Sequence, residues 1–229
     1  MIKEDIRIVF MGTPEFAVTI LDGLLEQNYS IAGVITAPDR PAGRGQKLHE
    51  SAVKVFAKSK EITVLQPTNL KDDSFLSDLK ALNANLQIVV AFRMLPKVVW
   101  QMPALGTFNL HASLLPDYRG AAPINWAIIN GEKETGVTTF FIDEKIDTGA
   151  VILQSKIDIN SSENAGELHD KLMHLGSELV IETIRKIEKG NLKTTTQTLK
   201  ETKTAYKLNK DNCKIDWNST LDVIYNQVR

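Results

Sequence analysis

Residues 6–36 constrain the fold more than any other stretch. Ile6–Met11 is a short apolar run closed by Gly12, the pattern of a buried strand. Thr13-Pro14-Glu15 follows, with Thr13 placed to cap a helix and Pro14 at its first position. Phe16, Ala17, Ile20, Leu21, Leu24 and Leu25 then recur at helical spacing to about Gln27, and Tyr29–Thr36 returns to an extended apolar run. Strand, helix, strand in this order predicts an α/β fold: a parallel sheet with helices packed on its faces. The first turn holds one glycine, Gly12, and no G-x-G-x-x-G occurs, which argues against a dinucleotide site.

The same reading along the chain gives helices over Ser51–Lys58 and Asp73–Leu82, extended chain over Ile62–Leu65, a central strand at Leu86–Ala91 and a short helix at Pro96–Trp100. Gly106–His111 is the next strand, followed by the Ser113–Pro123 loop and a helix to Asn130. Thr138–Ile142 and Ala150–Ile159 read as paired strands around the turn Ile146–Gly149. Ala165–Lys189 has a long amphipathic pattern, with Leu168, Leu172, Leu175, Leu179, Ile184 and Ile187 roughly on one face. Beyond Gly190 the apolar period disappears. Asn191–Thr204, rich in Thr and Lys, suits an extended linker, and Tyr206–Arg229 regains apolar residues and ends within a helical pattern.

Composition excludes several classes of function. With 43% apolar residues among 229, the chain can bury an ordinary core, and no run of about eighteen apolar residues occurs. The N-terminus reaches a strand too early for a secretory signal, so a cytoplasmic protein without membrane attachment is expected. A lone cysteine, Cys213, excludes an internal disulfide framework and cysteine-based metal sites. His169 and His174 miss the spacing of a helical metal pair and His49 stands alone, so no metal is expected. The formal net charge of −1 argues against wholesale wrapping of nucleic acid. Charge is nevertheless uneven: Ile184–Lys210 carries eight basic residues against two acidic ones, either a phosphate-contacting stripe or a solvated linker.

The chemistry concentrates in Phe108–Trp126 (FNLHASLLPDYRGAAPINW) and Ile146–Gly149 (IDTG). Asn109 and His111 stand two apart at a strand end, so both point to one face. The SLLP and YRG loops then expose backbone donors, and Asp147 arrives on a second tight turn. Amide, imidazole and carboxylate together can stabilise an oxyanion and move a proton, which points to acyl-type transfer. A separate loop, Asp39–Leu48 (DRPAGRGQKL), holds two glycines and a proline and carries Arg40, Arg44 and Lys47; its length implies function or disorder.

Taken together, FNLHASLLPDYRGAAPINW and IDTG resemble the formyltransferase family that uses 10-formyltetrahydrofolate. FMGTPEFA and APDRPAGRGQKL are similar to its methionyl-tRNA formyltransferases in particular. The likeness runs from about Ile6 through Lys189 and continues more weakly to Lys214–Trp217. It implies a Rossmann-like, mainly parallel sheet and a catalytic set of Asn109, His111 and Asp147. It further implies a folate pocket with Ser113, Leu114, Leu115, Pro116, Phe92 and Leu95, and an aminoacylated initiator tRNA held by Arg40, Arg44 and Lys47. Phe16 is either part of the methionine pocket or a plain helix-core residue. The segment VVAFRMLP departs from the family's usual VAYG-x-ILP: Phe92 replaces the tyrosine, Arg93 the glycine, and one residue is missing. The resemblance also implies a catalytic domain over 1–190, a basic linker over 191–208 and, over 209–229, the truncated start of a C-terminal β-barrel domain that helps hold tRNA. A monomer is expected.

Within this chemistry Asn109 and a protonated His111 would each donate to the oxygen that becomes negative as the amine attacks the formyl carbon. Asp147 would orient the imidazole or take the amine's proton, and the sequence leaves both roles open. Sugar-nucleotide formyltransferases and formyltetrahydrofolate hydrolase modules would keep the same three residues. They are not expected to carry the DRPAGRG loop or the basic linker. A non-catalytic RNA-binding module and a dehydrogenase are weaker rivals.

Overall fold

The computed structural model describes residues 6–42, 47–198 and 203–229. In chain order the elements are β1 (Arg7–Gly12), α1 (Glu15–Glu26), β2 (Ser30–Ile35), β3 (Arg40–Ala42), β4 (Lys47–His49), α2 (Ala52–Ser59), β5 (Val64–Leu65), α3 (Asp73–Ala81) and β6 (Leu86–Val90). They continue with α4 (Lys97–Trp100), β7 (Thr107–His111), β8 (Arg119–Gly120), α5 (Pro123–Ile129), β9 (Glu134–Phe141), β10 (Val151–Asp158), α6 (Ala165–Glu188), β11 (Thr204–Ala205) and α7 (Leu221–Val228). Seven strands form one sheet in the order β10-β9-β7-β6-β1-β2-β5. From β5 to β7 every pairing is parallel, whereas β9 and β10 join antiparallel at the other edge.

Alternation along the central strands separates two cores. Ile8 and Phe10 of β1, Ile88 and Val90 of β6, and Phe108 and Leu110 of β7 face one way, packing with Ile20 and Leu24 of α1 and Leu172, Val180 and Ile184 of α6. Val9, Met11, Ile35 and Val89 face the other way, onto Phe75 and Leu79 of α3 and Val99 of α4. Both faces are covered, which is why these strands are nearly continuous apolar runs. Asn164 caps α6 through Gly166 N and Glu167 N, while the Glu167 carboxylate returns to Asn164 N at 2.9 Å, so two otherwise unpaired ends close on each other. Among the described residues no helix is long and apolar enough to cross a membrane.

Three sequence expectations change in detail. Thr13 does not cap α1. Pro14 itself occupies that position, with φ −82° and ψ 176° and no side-chain cap, while Thr13 O accepts from Val53 N at 3.5 Å. The Asp39–Leu48 loop is in part a ribbon, because β3 and β4 pair antiparallel from Arg40↔His49 to Ala42↔Lys47. Arg44 lies outside the described residues, and so does the Lys47 side chain. The stretch expected to be an extended linker makes backbone bonds of its own: Thr195 and Val151 exchange hydrogen bonds at 2.8 Å, and β11 pairs parallel with β8. At the chain's end α7 packs on α5, and Arg229 O accepts from Ala165 N at 3.0 Å.

Candidate active site

From β1 the chain moves to β2 on one side, and β6 later takes the other, so the loops leaving the two strands diverge. Such a crevice, beyond the C-terminal strand ends, is where open α/β sheets hold ligands. Here it is a cavity of about 760 Å³. Pro14 and Phe16 line it after β1, residues 89–95 along β6 and its loop, Asn109, Leu110 and His111 on β7, and Asp143, Lys145, Ile146 and Asp147 after β9. Its apolar walls come from both cores: Phe16 and Ile124 belong with the α1–α6 side, and Val89, Phe92, Leu95 and Ile142 with the α3–α4 side. Two apolar ends with polar groups between them suit two reactants that meet in the middle.

His111 ends β7 opposite Thr138 of β9 and is 7% exposed. Its Nε2 lies 2.8 Å from Tyr118 O. A carbonyl only accepts, so this nitrogen carries the proton and Nδ1 is left as the nitrogen on the side of Asp147. Nδ1 is 3.8 Å from Asp147 Oδ2, within ion-pair range and longer than a direct hydrogen bond. Such contacts often tighten only with substrate present.

The carbonyl reaches His111 because Tyr118 adopts φ 60°, a left-handed conformation that costs a bulky residue about 1–2 kcal/mol. Several contacts hold it there: Tyr118 N donates to Lys203 O at 2.6 Å, its hydroxyl donates to Glu132, and Asn130 Nδ2 donates to that hydroxyl at 3.1 Å. Burial, and next the Glu132 carboxylate, keep the phenol well above its usual pKa, so it remains a donor.

Asp147 is also left-handed, at φ 54°, a conformation that Asp tolerates better than most residues. Its Oδ2 accepts from Gly120 N at 2.9 Å, and its Oδ1 has no hydrogen-bond partner among the described residues. Within the turn, Thr148 Oγ1 donates to the Asp143 carboxylate at 2.8 Å. Gly149 is required sterically, since a Cβ there would stand 1.6 Å from Phe141 O. The Asn109 side chain also lines the cavity, without a protein partner among the described residues.

Of the residues singled out from sequence, Asn109, His111, Asp147, Phe16, Phe92 and Leu95 share this cavity. Ser113, Leu114, Leu115 and Pro116 do not line it. Their loop is turned inward: Thr138 Oγ1 donates to Ser113 O at 2.6 Å and accepts from Leu115 N, and Gln154 Nε2 donates to Leu115 O. Leu114 lies instead in a separate recess with Glu132 and Glu134. Arg40 is exposed on β3, outside the cavity lining. Sequence reasoning missed Tyr118 O as the histidine's partner and passed over His169, which lines the cavity edge-on to Phe16 with ring centroids 5.3 Å apart. The YRG motif did signal Gly120's donor; nothing signalled Tyr118's backbone angle.

Comparison with known proteins fits this geometry. The Formyl transferase family profile matches residues 6–184. A methionyl-tRNA formyltransferase of Flavobacterium johnsoniae is 70% identical over 227 residues, covering 99% of this chain and 72% of that one. One from Bacteroides fragilis is 55% identical over 233 residues, with 100% and 72% covered. Among solved structures, the sugar 3N-formyl transferase WlaRD, in the presence of dTDP and 5-N-formyl-THF, superposes with a TM-score of 0.72 at 25% identity, covering 98% of this chain and 78% of that one. With its sheet, its strand-end cavity and most of its length matched in this way, the chain belongs to the formyl transferase family.

Proposed function

We propose that this protein transfers the formyl group of 10-formyltetrahydrofolate to the α-amine of methionine carried on initiator tRNA, acting as a cytoplasmic monomer. The observation that carries the reading is the convergence of Asn109, His111 and Asp147 on one cavity with an apolar wall on either side. The Flavobacterium and Bacteroides relatives favour methionyl-tRNA as acceptor.

In this reading the amine nitrogen attacks the formyl carbon, and a tetrahedral intermediate forms with negative charge on oxygen. Asn109 Nδ2 donates to that oxygen, and a proton on His111 Nδ1 supplies a second hydrogen bond. Because His111 Nε2 is committed to Tyr118 O, the ring keeps one orientation as charge develops. The amine's proton passes to Asp147 through Oδ1, the oxygen free of protein donors among the described residues. Collapse breaks the bond from the formyl carbon to the folate nitrogen, which leaves with the proton that Asp147 took from the amine. Desolvated donors of this kind are typically worth about 2.7–4 kcal/mol of barrier each. The α3–α4 end of the cavity, with Phe92 and Leu95, receives the folate. The end with Phe16 receives the methionine side chain. Arg40, Arg44 and Lys47 and the basic segment 191–208 follow the tRNA, and residues 1–190 carry the chemistry.

The deciding experiment offers labelled 10-formyltetrahydrofolate with charged initiator tRNA and, in parallel, with an amino-sugar nucleotide. Label on methionine alone is expected; faster formylation of the sugar would overturn the acceptor assignment.

A further inference from the structure

We propose that Gln197 is a positioning residue for the formyl transfer, holding the Asp147 turn from a segment of chain that follows α6. The inference rests on the function proposed above, and Gln197 lies beyond the span that the family profile matches.

The geometry starts at the turn itself. Asp147 has a left-handed backbone on the connection between β9 and β10, where no ladder hydrogen bond fixes it. Gln197 Nε2 donates to Asp147 O at 3.0 Å and to Gly149 O at 2.7 Å, so one amide bridges both sides of Thr148. An amide can be flipped, and a flipped Gln197 would aim its oxygen at two carbonyl oxygens. Arg119 removes that option: its Nε and Nη2 reach Gln197 Oε1 at 3.2 and 2.6 Å, and a guanidinium only donates. The NH₂ group is therefore left facing the turn.

The same segment holds the other half of the site. Lys203 O accepts from Tyr118 N, whose own carbonyl meets His111, and Lys203 N donates to Asp117 Oδ1 at 3.1 Å. Ala205 O accepts from Ala121 N at 2.7 Å and passes so close that a Cβ on Gly120 would stand 2.5 Å from it. Gly120, at φ 121°, is the residue whose N–H holds Asp147 Oδ2. One stretch of chain thus fixes the backbone on both sides of the 3.8 Å contact between His111 and Asp147. Gln197 is its direct hold on the Asp147 turn. Without it, Oδ2 keeps Gly120 N but the turn loses two of its restraints. Misplacement of a catalytic group by about 1 Å costs on the order of 100-fold in rate.

The test uses the full chain with Gln197→Ala and Gln197→Glu. The glutamate keeps the volume and the pairing with Arg119 but turns both donors into an oxygen facing two carbonyls. Expected are a fall in kcat of about 10–100-fold in each variant, KM values for folate and tRNA within about twofold of wild type, and thermal stability retained in Gln197→Glu. The readout independent of turnover is the ring ¹⁵N shift of His111 at one fixed pH, assigned against His111→Gln. Both variants should move it, because a turn released at two carbonyls changes the distance from Asp147 Oδ2 to Nδ1 even while Gly120 N holds that oxygen. An unchanged kcat together with an unchanged His111 signal in folded Gln197→Glu overturns the proposal. Should wild type fail to formylate charged tRNA, the function reading falls, and the His111 signal still decides the role of Gln197.

Discussion

The imidazole and the carboxylate proposed to share the chemistry, 3.8 Å apart, are held in different ways. His111 ends a strand bonded on both flanks, parallel to β6 and antiparallel to β9, so the sheet places its Cα and one carbonyl sets its ring. Asp147 stands outside the sheet on a connection fixed by polar groups drawn from separate parts of the chain: Asp143 and Thr148 within it, Gln197 from beyond α6, and the backbone N–H of Gly120 from β8. A site built this way should tolerate loss of apolar volume far from the turn and respond sharply to single polar or glycine changes near it.

The largest effect tests the chemistry common to both halves. His111→Ala and Asp147→Asn are each expected to lower single-turnover formyl transfer by about 10²–10⁴-fold, and Asn109→Ala by about 10²–10³-fold. Melting temperatures should remain near wild type in all three, because each replacement alters polar atoms at a cavity wall and leaves the apolar core intact. A near-normal rate in any one of them would take that residue out of the mechanism.

Next come two changes that should separate stability from rate. Leu172 of α6 is fully buried in the core beneath the sheet, and Leu172→Ala is expected to cost about 2–5 kcal/mol in urea unfolding. The protein that stays folded should keep its kcat. Gly149→Ala should cost less, about 1–3 kcal/mol, yet reduce kcat strongly, because the added methyl can be accommodated only by moving the turn away from Phe141 O. If the leucine variant proves the poorer catalyst per folded molecule, the contrast between sheet-held and turn-held groups fails.

That contrast also explains which parts were readable in the sequence. The apolar runs of β1, β2 and β6 and the heptad-like stripe of α6 encode burial directly, so the parallel half of the fold follows from periodicity. Asn109 and His111 inherit that legibility because strand alternation sends them to one face. Asp147 was legible as a member of the IDTG string, but the forces holding it were not. A left-handed tyrosine, a carbonyl aimed at an imidazole and a glutamine in a Thr-rich stretch leave no periodic trace. The SLLP loop shows the opposite case: its residues are bonded inward by Thr138 and Gln154, partners that lie on β9 and β10 and share no local pattern with it. β3 and β4 are three residues each, too short for alternation to show.

The smallest effect asks whether polar pins hold a second loop as they hold the Asp147 turn. At the base of the β3–β4 ribbon Asp39 pairs with Lys54 and accepts from Gln66 Nε2 at 2.8 Å, while Lys54 also reaches Glu50 at 2.9 Å. The Lys54 hydrogen bond, followed by that from Gln66, holds the Asp39 carboxyl below its ordinary pKa. A carboxylate whose pKa is lower in the folded state stabilises that state above its unfolded value, about 4. That contribution disappears as pH falls through the lower, folded value. Hydrogen exchange in β3 and β4 should therefore be faster in Asp39→Asn than in wild type near neutrality, and the difference should close in acid below that range. The group is only partly buried and stays open to solvent and salt, so the gap is expected to be modest and to shrink with ionic strength. Equal exchange at neutral pH would mean that strand pairing alone holds the ribbon, and dependence on polar pins would then be particular to the Asp147 turn.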